Sequence, residues 1–359
     1  MSGKIYKIIR LWCLSCLLVA LFGNSYAQPY NQQPNQDQVA ENMLLYQRFN
    51  GGWAKAVHGK KIVYDVTLTD AQIKQIQQER RLKDATIDNR ATTREIKYLV
   101  NAFQSTKDSA YLKAAEKGLD YLLSAQYPNG GWPQYYPDSS FYRSQITFND
   151  DAMVNVLKVL EKVVRRQSGF EFVDPKYIPL CSQAVQNGIG CILKTQIIVN
   201  GKKTAWNQQY NKKTLVPEKA RSFELVGLAG AESASIVEFL MDQPNPSPAM
   251  KEAINSAVAW FKKVAIKGYV LKHVNDLSEP GGKNVILVSD AGSVIWARYY
   301  ELGTNRPFFS GRDGQKKYNL QEIENERRVG YSWYGSWPAH ILEKGYALWL
   351  EKYGNTVSP

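Results

Sequence analysis

A chain of 359 residues, 44% of them apolar, is long enough to bury a sizeable core in one or two domains. Its formal net charge of +12, with 9 Trp and 22 Tyr, points to an acidic partner that offers faces for stacking. Four cysteines do not make a disulfide framework in a chain this long, and His58, His273 and His340 show no ligand spacing that would suggest zinc.

Lys4, Lys7 and Arg10 precede an apolar run from Leu11 to Phe22, which Ser25-Tyr-Ala27 closes with small residues. Residues 1–27 are therefore expected to be a signal peptide. The run falls short of the about 20 residues that a bilayer span needs, and no later segment is long and apolar enough to anchor the chain. An exported protein is expected, periplasmic or secreted, with no membrane partner. Its net charge is +9, from 42 basic and 33 acidic residues. The absence of a continuous Lys/Arg run or a recognisable module argues against nucleic acid. Cys13 and Cys16 leave with the leader. Cys181 and Cys191, ten residues apart, fall on different faces of a helix and read as small buried apolar residues.

Residues 28–40, rich in Gln, Asn and Pro, read as a flexible tether. No later linker divides the chain, so residues 41–355 are expected to form one catalytic domain, as a monomer. Ile96, Leu99, Val100 and Phe103 have helical spacing, with Thr92 and Glu95 as a capping box. Leu112, Ala115, Leu119 and Leu122 predict the next helix. Met153, Val156, Leu157, Leu160 and Val163 predict another, capped by Asn149 or Asp150. Further helices are expected from Arg221 to Leu240, over Ala253–Val264 and over Ala291–Leu302. Strand-like alternation is confined to Ile197–Val199 and Val285–Val288. Gly51-Gly-Trp53, Gly130-Gly-Trp132 and Gly335-Ser-Trp337 form a weak internal repeat of turns beside helices. Repeated helix pairs of this kind predict a mainly all-α fold, an (α/α) toroid or barrel with a few short strands and long loops. The inner helices of such a toroid start on one rim, where their dipoles favour anions. Asp88, Asp150 and Arg221 would then share that rim.

The residue types leave several roles open. Asp150 before a helix is an N-cap or a metal ligand, and so is Asp88. Arg221 is a base, a carboxylate clamp or an ion-pair partner of Glu224. Trp132, Tyr135 and Tyr136 are core aromatics or sugar platforms, and Arg312-Asp-Gly is a turn or a binding loop. Five segments, in order, narrow these readings: Thr86-Ile-Asp-Asn-Arg-Ala-Thr-Thr93, Asn129-Gly-Gly-Trp-Pro-Gln-Tyr-Tyr-Pro137, Ile146-Thr-Phe-Asn-Asp-Asp-Ala-Met153, Ala220-Arg-Ser-Phe-Glu224, and the stretch from Ala297 to Gly314. Together the chain resembles polysaccharide lyase family ten, the helical pectate lyases, over nearly its whole length after the leader.

The resemblance implies cleavage of polygalacturonate by calcium-assisted β-elimination. It places Ca²⁺ and uronate around Asp88, Asn89 and Asp150, with Asp151 adjacent. It makes Arg221 the Brønsted base and gives Arg298 and Arg312 the substrate carboxylates, with Trp132 and Tyr135 as candidate sugar contacts. Two departures stand out: Ala205-Trp-Asn-Gln-Gln-Tyr-Asn211 lacks a Cys after its Trp and an acid near its end, and Arg90 replaces a smaller residue. The alternatives are a non-catalytic acidic-polysaccharide binding protein, a glycoside hydrolase with paired carboxylates, and a terpene cyclase-like toroid. The last would need further spaced aspartates that the sequence lacks.

Overall fold

The helical periodicities build three hairpins in succession. Following α1 (Gln38–Tyr46) and the peripheral α2 (Asp70–Glu79) come α3 (Thr93–Thr106) with α4 (Ser109–Ala125), α5 (Ala152–Arg165) with α6 (Tyr177–Thr195), and α7 (Gly230–Met241) with α8 (Pro248–Val264). This computed structural model describes residues 36–354, and the chain from Gln36 onward forms one unit. The expected signal peptide, most of the expected tether and residue 355 lie outside the described residues. The tether ends earlier than its composition suggests, because α1 takes up residues 38–40.

Helices α3, α5 and α7 pack in series on the inside, while α1, α4, α6 and α8 pack in series on the outside. The architecture is thus the mainly helical (α/α) toroid that the periodicity predicts. The inner α5 buries Met153, Val156, Leu157, Leu160 and Val163, the residues whose spacing marked it. Cys181 and Cys191 lie buried and unbridged in α6, and burial pushes both thiols up to about 12. No helix among the described residues is long and apolar enough to cross a membrane.

The internal repeat is sharper in the structure than in the sequence, and it is made of hydrogen bonds. Each outer helix offers a carbonyl near its end to an indole: Trp53 Nε1 donates to Met43 (2.8 Å), Trp132 to Leu122 (2.7 Å), Trp206 to Ile192 (2.8 Å) and Trp296 to Phe261 (2.9 Å). Three of these helices end in a glutamine that bridges its own turn to the next outer helix. Gln47 donates to the Gly51 and Ala114 carbonyls, Gln126 to Gly130 and Ala184, and Gln196 to Thr204 and Ala253. Gly51 (φ +92°) and Gly130 (φ +91°) are needed there, because a Cβ would run into the Lys117 or Asn187 carbonyl. Gly335-Ser-Trp337 is not part of this repeat: Trp337 follows no outer helix and lines a pocket instead.

Three helix assignments are corrected. Thr92 caps nothing with its side chain; its hydroxyl accepts from the Trp53 amide (3.0 Å) and donates to the Thr86 carbonyl (2.9 Å). Glu95 is buried and accepts from Tyr64 and Arg94 instead of closing a capping box. Arg221 heads no helix, since the chain passes through a turn and a short strand before α7 starts at Gly230. The residues expected as a helix from Ala291 lie partly in a long hairpin, where Ile266–Asn275 pairs antiparallel with Lys283–Ala297. Val294, Ile295 and Trp296 suit an extended backbone once a partner strand is present. The hairpin adjoins a second, aromatic core of Tyr299, Phe308, Phe309 and Trp333. Short α9 (Asn325–Gly330) and the C-terminal α10 (Tyr346–Tyr353), entered through a π-helical turn at Ile341–Gly345, complete the chain.

Candidate active site

The turns leading into α3 and α5 are copies of each other. In Thr86-Ile-Asp-Asn-Arg-Ala91 and Thr147-Phe-Asn-Asp-Asp-Ala152 the fourth residue is left-handed: Asn89 has φ +50° and Asp150 φ +51°. Arg90 (+65°) and Asp151 (+59°) follow in the same region. Asn and Asp tolerate this conformation better than other side chains, and runs of it concentrate at functional sites. The correspondence therefore pairs Asp88 with Asn149 and Asn89 with Asp150. The third residue of each copy is buried, and both Asp88 Oδ1 and Asn149 Oδ1 meet no hydrogen-bond partner. Asp151, not Asn149 or Asp150, occupies the N-cap position of α5, without a side-chain cap bond.

The two turns touch, and the start of α7 adjoins the second. Between them lies a cavity of about 300 Å³ lined by Asn89, Asp150, Asp151, Glu232, Arg298 and Trp337, among others. Larger cavities of about 530 and 700 Å³ lie elsewhere, but they lack this convergence of helix mouths and charges. Arg298 is the central cation. Its Nη2 donates to Glu232 Oε1 (2.5 Å) and to Asp150 Oδ1 (3.3 Å), and its guanidinium lies 4.7 Å from the Tyr331 ring centre. Burial works against its charge, but the Glu232 carboxylate outweighs that and holds its proton affinity well above the ordinary value. Gln208 donates to the same Glu232 oxygen (2.8 Å). Burial raises the Asp151 carboxyl, against a bond from Ser235 and the charges of Lys158 and Arg298.

Asp88 sits behind this pocket, paired with Lys55. Burial opposes the lysine's charge, yet Asp88 raises its proton affinity. Tyr135, one of the two candidate sugar contacts, lies beside Lys55 with the Arg143 guanidinium 4.7 Å from its ring centre, apart from the residues that line the pocket. Trp132 does not fit that expectation. It is fully buried and spends its indole N–H on Leu122, which makes it a core residue and not a sugar platform.

Arg221 and Arg312 stand outside the pocket, in a neighbouring arginine cluster. Arg221 makes two side-chain bonds to Glu224, with Nε to Oε2 at 2.8 Å, and Arg312 pairs with Glu326 at 2.7 Å. Both lie against Phe223, at 4.7 and 5.3 Å from its centre, and Arg327 lies closer still at 3.7 Å. Burial opposes the Arg221 charge, but its bond to Glu224 and that carboxylate's charge raise its proton affinity overall. Tyr331 connects the cluster to the pocket, since Arg298 and Arg327 both lie within 5 Å of its ring centre, at 4.7 and 4.9 Å. Sequence reasoning missed Glu232, Lys55 and Arg327. The first lies inside an ordinary-looking helix start, and the other two have no spacing that marks them, although the repeated turn pattern was there to be aligned.

Among the described residues no group of three or more His, Cys, Asp or Glu could hold a metal by itself. The donors present are nonetheless all hard oxygens, from Asp88, Asn89, Asp150 and Asp151, and one of the buried oxygens of Asp88 has no partner. Oxygen donors of this kind are the type that Ca²⁺ takes, six to eight at a time in loose geometry.

The sequence profile of a family described as pectic acid lyase matches residues 47–342. Among solved structures, a point mutant of the family 10 polysaccharide lyase from Cellvibrio cellulosa, in complex with trigalacturonic acid, is similar at 32% identity and a TM-score of 0.75. The alignment covers 88% of this chain and 92% of that one. A second structure of the Cellvibrio cellulosa enzyme matches at 32% identity and a TM-score of 0.73, over 88% and 91% of the two chains. No curated protein matches the chain.

Proposed function

The chain belongs to the pectic acid lyase family and is a polysaccharide lyase, and from that premise we propose that it cleaves α-1,4-linked polygalacturonate by calcium-dependent β-elimination. The observation that carries this reading is the meeting of three helix mouths around Asn89, Asp150, Asp151, Glu232 and Arg298 in one pocket. A uronate carboxylate complements it: the inner helix dipoles and Arg298 favour an anion, and Arg298 is fixed in advance by Glu232. The Cellvibrio cellulosa lyase, whose mutant forms a complex with trigalacturonic acid, shares the fold at 32% identity, which supports the substrate class.

In the proposed reaction the C5–H bond of a galacturonate unit breaks and its proton passes to a base. The electron pair forms the C4–C5 double bond, and the C4–O4 bond breaks, the leaving oxygen taking a proton from water. Bound by Asp88, Asn89 and Asp150, calcium would supply positive charge to the substrate carboxylate and so acidify the C5 proton. Arg298 would hold that carboxylate, with Arg312 gripping a neighbouring one. Arg221 is the proposed base. A guanidinium keeps its proton under ordinary conditions, and the Glu224 pair strengthens that hold, so turnover should rise toward alkaline pH. The expected leader supports an exported enzyme that meets its polymer outside the cytoplasm.

Polygalacturonate incubated with the protein should give a rising ultraviolet absorbance from the unsaturated product, and excess EDTA should abolish it. Retention on polygalacturonate with no product would favour the binding-protein reading, and full activity in EDTA would remove calcium.

Glu224→Gln tests the base separately. Removing the carboxylate lowers the proton affinity of Arg221, so the alkaline rise in kcat/KM should move to lower pH. An unshifted profile would make Arg221 a fixed cation.

A further inference from the structure

Phe141 is 91% exposed and has φ +49°. It is the one Phe, Tyr or Trp among the described residues with a left-handed backbone. A bulky side chain rarely adopts that region, because its Cβ crowds the following carbonyl, and it persists there only where the surroundings enforce it. The enforcement is local. The Ser140 amide donates to Asp138 Oδ1 (2.9 Å), the Arg143 amide to the Ser140 carbonyl (3.1 Å) and the Gln145 amide to the Tyr142 carbonyl (3.0 Å). Arg143 adds an ion pair to Asp138, and Tyr127 donates to the Ser144 carbonyl (2.8 Å). All this order holds up a ring that lies in solvent and adds no apolar burial to the fold.

The loop that carries Phe141 is pinned to the segments of the proposed chemistry. Tyr135 pairs with Thr86 and Pro133 with Ile146, at the entrances to the Asp88 and Asp150 turns. On the other side Gln145 donates to Glu218 Oε2 (2.8 Å) and to the Lys219 carbonyl (3.1 Å), just ahead of Arg221. Tyr142 stands within electrostatic reach of Arg221 itself. Phe141 is thus presented at the rim between the two turns and Arg221. The pocket of about 300 Å³ is small beside a polymer, so most of a bound chain lies against such a rim.

We propose that Phe141 is a binding residue for the substrate chain, a platform on which the ring face of a galacturonate unit outside the pocket stacks. This rests on the lyase reading and adds a place where the polymer is held beyond the pocket. Galacturonate suits it, because the axial O4 leaves the hydrogens of C3, C4 and C5 together on one face of the sugar. Phe has no hydroxyl or N–H to satisfy, so the contact removes water from two apolar faces and asks for no polar partner. It involves the sugar ring and not its carboxylate.

The test uses Phe141→Gly, which accepts the backbone and removes the ring, and Phe141→Tyr, which keeps the ring. Kinetics are measured on polygalacturonate, with migration through polygalacturonate gels as a binding readout that needs no turnover, and thermal melting follows the fold. Phe141→Gly should raise KM by about threefold to tenfold, the scale of one aromatic contact, with kcat close to wild type and weaker retardation in the gel. It should melt at or above the wild-type temperature, since glycine adopts this backbone freely. A structural residue would do the reverse, losing stability and keeping affinity, and that result would overturn the proposal. Phe141→Tyr should keep KM and retardation near wild type, and equal losses in the glycine and tyrosine variants would also overturn it. If Phe141→Gly does not fold, Phe141→Leu takes its place: weaker retardation supports the platform, and wild-type KM and retardation remove it. Wild-type protein that is retarded by polygalacturonate but forms no product would instead count against the lyase reading, and gel migration of the variants would still decide the role of Phe141.

Discussion

Asp150→Ala is expected to lower turnover by about a hundredfold or more, the scale of losing a group that stabilises developing charge, while the protein stays folded. Asp150 is half-buried in the pocket, with one carboxylate oxygen 3.3 Å from Arg298 and the other accepting from Asn149 at 2.9 Å. It makes no cap bond to α5, so that helix loses nothing at its start. The structural cost is that of alanine in a left-handed conformation, about 1–2 kcal/mol. Arg298 keeps Glu232 as its main partner. Asp150→Asn separates the two effects, because asparagine accepts the same backbone while removing the charge and one of the two acceptor oxygens. Product formation and thermal melting, measured on both variants, decide the matter. Near-wild-type rates in both would take Asp150 out of the chemistry, and collapse of the fold in both would make it a structural residue.

Trp132→Ala should produce the opposite outcome, a loss of about 3–5 kcal/mol in stability, as for large aromatic deletions in a core. The side chain is fully buried between helices, its indole is bonded to Leu122, and its ring edge lies at Gly188 of α6. Denaturant unfolding should show a midpoint shifted to lower concentration with nearly the same slope. The folded fraction should keep wild-type KM, because no face of Trp132 is available to a sugar. A raised KM with unchanged stability would return Trp132 to the binding surface.

These two residues show what the sequence makes legible. Helix spacing identified α3, α4 and α5 because each presents one continuous apolar face, and burial of Met153, Val156, Leu157 and Leu160 agrees with it. The turns at Asp88 and Asp150 stood out because two oxygen-rich runs precede such faces. Pattern could not say which aromatic lies inside, since Gly-Gly-Trp describes a turn and not the depth of its third residue. Of the hairpin from Ile266 to Ala297 it found only Val285–Val288, because the valines and isoleucines elsewhere in it have mixed spacing that suits either period until a partner strand fixes one. Glu232 was invisible for another reason. A carboxylate at the start of a helix looks like an ordinary favourable charge; only the arrival of Arg298, sixty-six residues later in the chain, gives it a counterion.

The glutamine bridges carry a consequence for how the chain assembles. Gln47 reaches α4, Gln126 reaches α6 and Gln196 reaches α8, always toward the part of the protein that comes later. Each outer helix therefore ends in an unfilled donor until its successor docks, and the docking helix brings the next such donor with it. After α8 the position is taken by Ala265, which has no side-chain amide to extend, and the long hairpin begins. The bridges thus run in one direction along the chain: each of the first three turns is tied to the outer helix that follows it, and the fourth ends the series at a sheet.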